Sequence, residues 1–87
     1  MKKIFVVMGS TGEYSDRTEW PVLAYTDEDL AKEHVVNADR RAKEIYATRK
    51  TRYGVEKGIN EFDPDMDMNY TGTSYFLYTV DLITKKH

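Results

Sequence analysis

Eighty-seven residues with 40% hydrophobic and 32% charged side chains fit one small globular domain with a single core. The formal charge of -2 gives the chain no bulk attraction to nucleic acid or to an anionic membrane, and the lack of cysteine excludes disulfides, thiolate metal sites and thiol chemistry. The longest apolar run, Ile4 to Met8, is too short for a membrane span or a secretory core, so the expectation is a soluble, cytoplasmic protein.

Residues 3–8 are β-branched and aromatic and stop at Gly9, which predicts a strand apolar on both faces and therefore central. Residues 9–19 are polar, with Gly9, Gly12, Ser10, Thr11, Ser15 and Asp16 as turn chemistry. Residues 20–25 predict a second strand, and Pro21 confines it to an edge. The period then changes. Thr26 is placed as N-cap with Asp29 at the third helical position. Leu30, Ala31, His34, Val35, Ala38, Ala42, Ile45 and Tyr46 recur at three- and four-residue steps, which predicts an amphipathic helix over about 27–52. Acids crowd its start and bases its later half, as the helix dipole favours, and Gly54 terminates it. Residues 54–73 form an irregular acidic segment, and residues 74–83 a third strand before a frayed Lys85-Lys86-His87. One face of that strand carries Phe76, Tyr78, Val80 and Leu82, the other Tyr75, Leu77, Thr79 and Asp81.

The order is β-β-α-β, an α+β domain with a three-stranded sheet in spatial order 2-1-3 and one helix on one face. Such a sheet has an uncovered face, for which Phe5, Val7, Leu23 or Trp20, and Tyr75 with Leu77 are the candidates. A helix from 27 to about 50 spans roughly 36 Å and overhangs strands of six or seven residues. Residues 54–73, a second copy in a homodimer, or another protein could cover what is left bare.

Catalytic chemistry finds few candidates. His34 lies on an apolar stripe and reads as a packed residue, and Ser10, Ser15 and Ser74 lack a nucleophile-elbow context. Gly9-Ser10-Thr11-Gly12 follows a strand but has no Walker lysine and opens no helix, so a hairpin turn is expected rather than a phosphate loop. Asp63, Asp65, Asp67 and Asn69 alternate like calcium ligands, yet Met68 and Ser74 stand where an EF-hand needs glycine and glutamate. A solvated acidic loop is the expected reading, with no metal and no cofactor. The bases Arg40, Arg41, Lys43, Arg49, Lys50 and Arg52 interleave with acids, and pairs such as Asp39–Lys43 account for them without nucleic acid. Eleven aromatics, including Tyr14, Trp20, Tyr53, Tyr70 and Tyr75, exceed what so small a sheet buries, which favours a protein-binding module over an enzyme.

The block from Phe5 to Trp20, with Gly12-Glu13-Tyr14-Ser15-Asp16 at its centre, followed by Ala24-Tyr25-Thr26-Asp27 and a helix bearing Ala31 and His34, resembles a group of small uncharacterised proteins of tailed bacteriophages. The resemblance covers residues 4–45. It implies a phage source and no catalytic residue. It also implies an accessory role in which a host protein is bound and redirected, or a host defence such as restriction or CRISPR is blocked.

Glu13, Tyr14, Asp16 and Arg17 on an eleven-residue loop, with Trp20 just after it, combine charge, aromatic area and hydrogen-bonding groups, and are the expected partner-binding residues. The competing expectation is an internally bonded loop in which Asp16 caps backbone N–H groups and Arg17 pairs with Glu13 or Glu19. A non-enzymatic module that binds a host protein is the leading functional expectation. An acidic nucleic-acid decoy using Glu61, Asp63, Asp65 and Asp67 is the alternative, and a metal- or nucleotide-binding enzyme the second.

Overall fold

A computed structural model describes residues 2–48, 59–67 and 72–82, apart from the side chains of Tyr14 and Thr48. The expected helix end beyond Thr48, with Arg49, Lys50, Arg52 and Gly54, lies outside the described residues. So do Tyr53, Tyr70, Met68, Asn69 and the chain after Leu82.

The elements are β1 (Lys2–Thr11), a single 3₁₀ turn (Tyr14–Asp16), β2 (Thr18–Tyr25), α1 (Glu28–Thr48) and β3 (Thr73–Leu82). The sheet order is β2-β1-β3, with β1 antiparallel to both neighbours. This is the expected α+β domain, with the apolar β1 in the middle.

The strands are longer than the composition suggests. β1 does not stop at Gly9 but continues to Thr11. Gly9 stands opposite Trp20, and a Cβ there would come within 2.5 Å of the indole. The glycine is a seat for an aromatic ring on the neighbouring strand, not a stop signal. The connection between β1 and β2 therefore shrinks from the expected eleven residues to 12–17. Gly12 takes φ 93°, and Asp16 N–H donates to the Glu13 carbonyl at 3.0 Å. A ten-residue strand spans about 33 Å and a 21-residue helix about 31 Å, so the described helix does not overhang the sheet.

The helix begins one residue later than the capping-box reading. Asp27, not Thr26, is the N-cap: its Oδ1 accepts from the N–H groups of Asp29 at 2.9 Å and Leu30 at 3.2 Å. Ala31, Ala38, Ala42 and Ile45 are buried with Val7, Met66 and Tyr75, and small alanines let the helix approach the sheet closely. Leu30, placed on the apolar stripe by its spacing, is instead exposed in the first turn. The bases of the helix pair with acids one turn away. Lys43 lies 2.8 Å from Asp39, Arg41 3.2 Å from Glu44 and Lys32 3.6 Å from Glu28.

The two sheet faces are the reverse of the expected assignment. Val7 and Tyr75 lie under the helix, with Trp20, Val22, Tyr25 and Leu77 packed beside them. An irregularity in the β1–β2 register at Val7/Met8 absorbs one extra residue. Trp20, Val22 and Tyr25 thus share the core side at spacings of two and three, and Leu23, opposite Val7 in register, is exposed on the edge strand. The uncovered face carries the opposed pairs Ile4–Val80, Val6–Tyr78 and Met8–Phe76. Residues 59–67 do not cover it. They fold over the helix side, where Phe62 and Met66 join the core.

Candidate functional site

Two features of the molecule are built from chemistry-bearing side chains: a buried polar cluster on the helix side, and the bare apolar face opposite.

The cluster centres on Asp63, which is 3% exposed. Its Oδ2 accepts from Trp20 Nε1–H at 2.9 Å and from the Tyr75 hydroxyl at 2.8 Å. Asn60, 1% exposed, donates from Nδ2 to the Ala38 carbonyl at 3.1 Å, and its Oδ1 accepts the Phe62 N–H at 3.0 Å. Backbone bonds from Asp63 N–H to Asn60 O and from Met66 N–H to Asp63 O, both 3.0 Å, wind residues 60–66 into a tight double turn. That winding turns Asp63 inward while Glu61, Asp65 and Asp67 face outward. Burial, followed by the Asp63 hydrogen bond and charge, pushes the Tyr75 hydroxyl far above the usual tyrosine range. The Tyr75 hydroxyl thus serves as a hydrogen-bond donor to Asp63.

A second chain of bonds adjoins the first. His34 Nε2 lies 2.7 Å from the Phe62 carbonyl, and Nδ1 3.0 Å from the Tyr25 hydroxyl. A carbonyl only accepts, so Nε2 carries a proton, and in the neutral ring Nδ1 accepts from Tyr25. The ring also packs edge-on against Phe62, with centroids 5.7 Å apart. Both nitrogens are thus engaged in holding residues 59–67 to the helix and to β2.

The expected partner-binding residues separate in space. Glu13, Asp16 and Arg17 are exposed on the 12–17 connection at one end of the sheet. Arg17 pairs with Glu19 at 3.0 Å, one of the two internal pairings expected for it. Trp20 is drawn inward by Gly9 and Asp63. The Tyr14 side chain lies outside the described residues.

The four acids proposed as a decoy separate as well. Asp63 is interior, and Glu61 lies 3.4 Å from Arg41, which also donates from Nε to the Ile59 carbonyl. The outward acidic surface is therefore smaller than the sequence suggests, and it adjoins a cation. Among the described residues no three acidic or histidine side chains converge as metal ligands would.

A cleft of about 340 Å³ lies between the ends of β1 and β3 and the later half of the helix, lined by Ser10, Thr11, Gly12, Lys43, Tyr46 and Gly72 among others. Both of its threonine hydroxyls are used internally. Thr11 Oγ1 donates to Gly72 O at 2.6 Å, and Thr73 Oγ1 to Asp67 O. Lys43 is held by Asp39, whose hydrogen bond and charge raise its ammonium above the usual lysine range. Gly9-Ser10-Thr11 lies within β1, so this run is a strand end and not a phosphate loop.

Opposite the cluster, Ile4, Val6, Met8 and Phe76 are half-buried, while Tyr78 is 59% and Val80 41% exposed. Nothing among the described residues lies over them. Composition detected the aromatic excess that contributes to this face, but alternation alone could not say which parity of β1 and β3 faces the helix. The Asp63 cluster had no sequence signal beyond the acids themselves, because it depends on a turn bringing residue 63 beneath residue 20.

Among the described residues no helix is long and apolar enough to cross a membrane. No protein-family model, curated protein or solved structure matches the chain.

Proposed function

We propose that the chain is a small protein-binding module that works without chemistry of its own. The observation that carries this reading is the uncovered apolar face of β1 and β3, where Ile4–Val80, Val6–Tyr78 and Met8–Phe76 stand side by side. Contiguous exposed apolar area on a chain this small marks a contact surface. The reading gains support from the titratable groups: Asp63, Tyr75 and His34 are engaged in structural hydrogen bonds. Glu13, Asp16 and Arg17 offer a second, polar contact region at the end of the sheet. The partner class we favour is a bacterial host protein met in the cytoplasm, with the chain acting as a phage accessory factor.

The test is affinity capture from a bacterial lysate with three baits. The wild-type chain should retain a saturable partner. Val6→Lys, which charges the centre of the bare face, should lose it. A Glu13→Ala/Asp16→Ala/Arg17→Ala bait reports the loop's share. Capture that Val6→Lys leaves undiminished would refute the assignment of the face.

A further inference from the structure

The two edges of the sheet are built differently. β2 carries Pro21, and the register irregularity lies in its pairing with β1. Proline and bulges are devices that blunt an edge against strand addition. β3 has neither. It pairs with β1 over ten residues without a break in register, and its one charged residue, Asp81, stands opposite Lys3.

The outer side of β3 is capped at one end only. Tyr75 N–H points away from β1 and donates to Asp39 Oδ1 on the helix at 3.3 Å. An antiparallel strand directs its backbone groups to alternate sides, so the N–H and C=O groups of Leu77, Thr79 and Asp81 also point outward. Among the described residues nothing bonds to these outward groups. Among the described residues three consecutive ladder positions are thus left open, and Thr79 is their midpoint.

We infer that this edge pairs with the same edge of a second copy, antiparallel about Thr79, to form a six-stranded sheet. The register follows from the open positions. Thr79 faces Thr79, and Leu77 of each copy faces Asp81 of the other, so every open group is used and the capped Tyr75 is left out. The same register governs the bare face. It sets Tyr78 of one copy against Val80 of the other, and Phe76 against Leu82. Aromatic and aliphatic neighbours of that kind stabilise a strand pair. Two uncovered faces then become one continuous apolar surface. A foreign strand could also use the three positions, but the match of β3 to itself at both backbone and side chains favours a second copy. An interface of one strand edge lies at the small end of specific contacts, below about 1,200 Å² in total. The dimer is therefore expected to assemble with rising concentration. This pairing is tested apart from the proposed function, since Val6 is on the central strand, beside the inner side of β3, and Val6→Lys leaves the outward backbone groups of Leu77, Thr79 and Asp81 in place.

Sedimentation equilibrium from about 10 µM to about 1 mM should show a monomer passing into a dimer. Thr79→Pro removes only an N–H that points outward, a position where an edge strand tolerates proline. It should keep the circular dichroism of the parent and remain monomeric throughout. The register is read separately by disulfide trapping, which the cysteine-free sequence makes clean. Facing residues between hydrogen-bonded pairs lie about 4.5 Å apart at Cα, inside the range a disulfide spans. Tyr78→Cys mixed with Val80→Cys should cross-link several-fold faster than either variant alone. A monomer at every concentration, a dimer that survives Thr79→Pro in a folded chain, or a mixture that cross-links no faster than the single variants would each overturn the pairing.

Discussion

The two faces of this sheet are made from the same strands, yet they are finished in opposite ways. On the helix side, Val7 and Tyr75 sit among alanines, and a buried carboxylate gathers donors from β2 and β3. On the other side, Val6 and Tyr78 stand opposite each other in the ladder, and Tyr78 is left largely exposed. The first face directs its specificity inward, because every buried side-chain nitrogen and oxygen among the described residues has a hydrogen-bond partner. The second is apolar and undirected, so what it contacts is fixed by shape and area. A small domain can afford only one closed core, and the asymmetry marks where its contacts with other molecules begin.

Removing the carboxylate is the largest available break in that contrast. Asp63→Ala would leave the Trp20 N–H and the Tyr75 hydroxyl without their acceptor, and each unsatisfied buried donor costs about 1–3 kcal/mol. We expect urea unfolding to show a loss of about 3 kcal/mol, together with a red-shifted Trp20 emission as the indole meets water. A loss below about 1 kcal/mol would mean that the cluster does not hold the helix-side face together.

The second prediction sharpens the same contrast through pH. Burial and Asp63 hold the folded pKa of Tyr75 above its unfolded value near 10. Below pH 10 the hydroxyl is protonated in both states, and its contribution to stability is fully present. Above it the unfolded chain releases the proton while the folded chain keeps it, so stability falls as pH rises. Tyr75→Phe should lose about 1 kcal/mol at neutral pH and show a shallower decline between about pH 10 and 11.5. Parallel declines in parent and variant would detach the alkaline sensitivity from this hydroxyl.

Much of this was legible in the chain itself, and the failures have identifiable physical causes. The change from period two to period 3.6 at Thr26, the doubly apolar β1 and Pro21 on β2 were enough for β-β-α-β and for the 2-1-3 order. Gly9 misled because a glycine beneath an aromatic and a glycine at a turn have the same sequence signature. The parity of the faces misled because β1 is apolar at both Val6 and Val7, so alternation carries no sign. The acids of residues 61–67 read as one solvated run because nothing local tells which of them a turn will carry inward. Trp20 and Asp63, assigned to two rival surfaces, meet at 2.9 Å. Their pairing is a long-range fact that no window of sequence contains.

The smallest expected effect tests the other half of the comparison. Tyr78→Ser/Val80→Thr removes aromatic and aliphatic area from the bare face, where both residues are substantially exposed. Below the dimerisation range the variant should unfold within about 0.5 kcal/mol of the parent, because exposed positions away from caps and networks seldom matter more. The informative result is a larger one. A loss above about 1 kcal/mol in the monomer would mean that the face is covered within its own chain, and the contrast between a closed side and an open side would no longer describe the molecule. A near-zero loss with reduced capture or self-association would place the energetic role of Tyr78 and Val80 outside the monomer, since area that contributes nothing to folding but reduces binding when removed is area held for a partner.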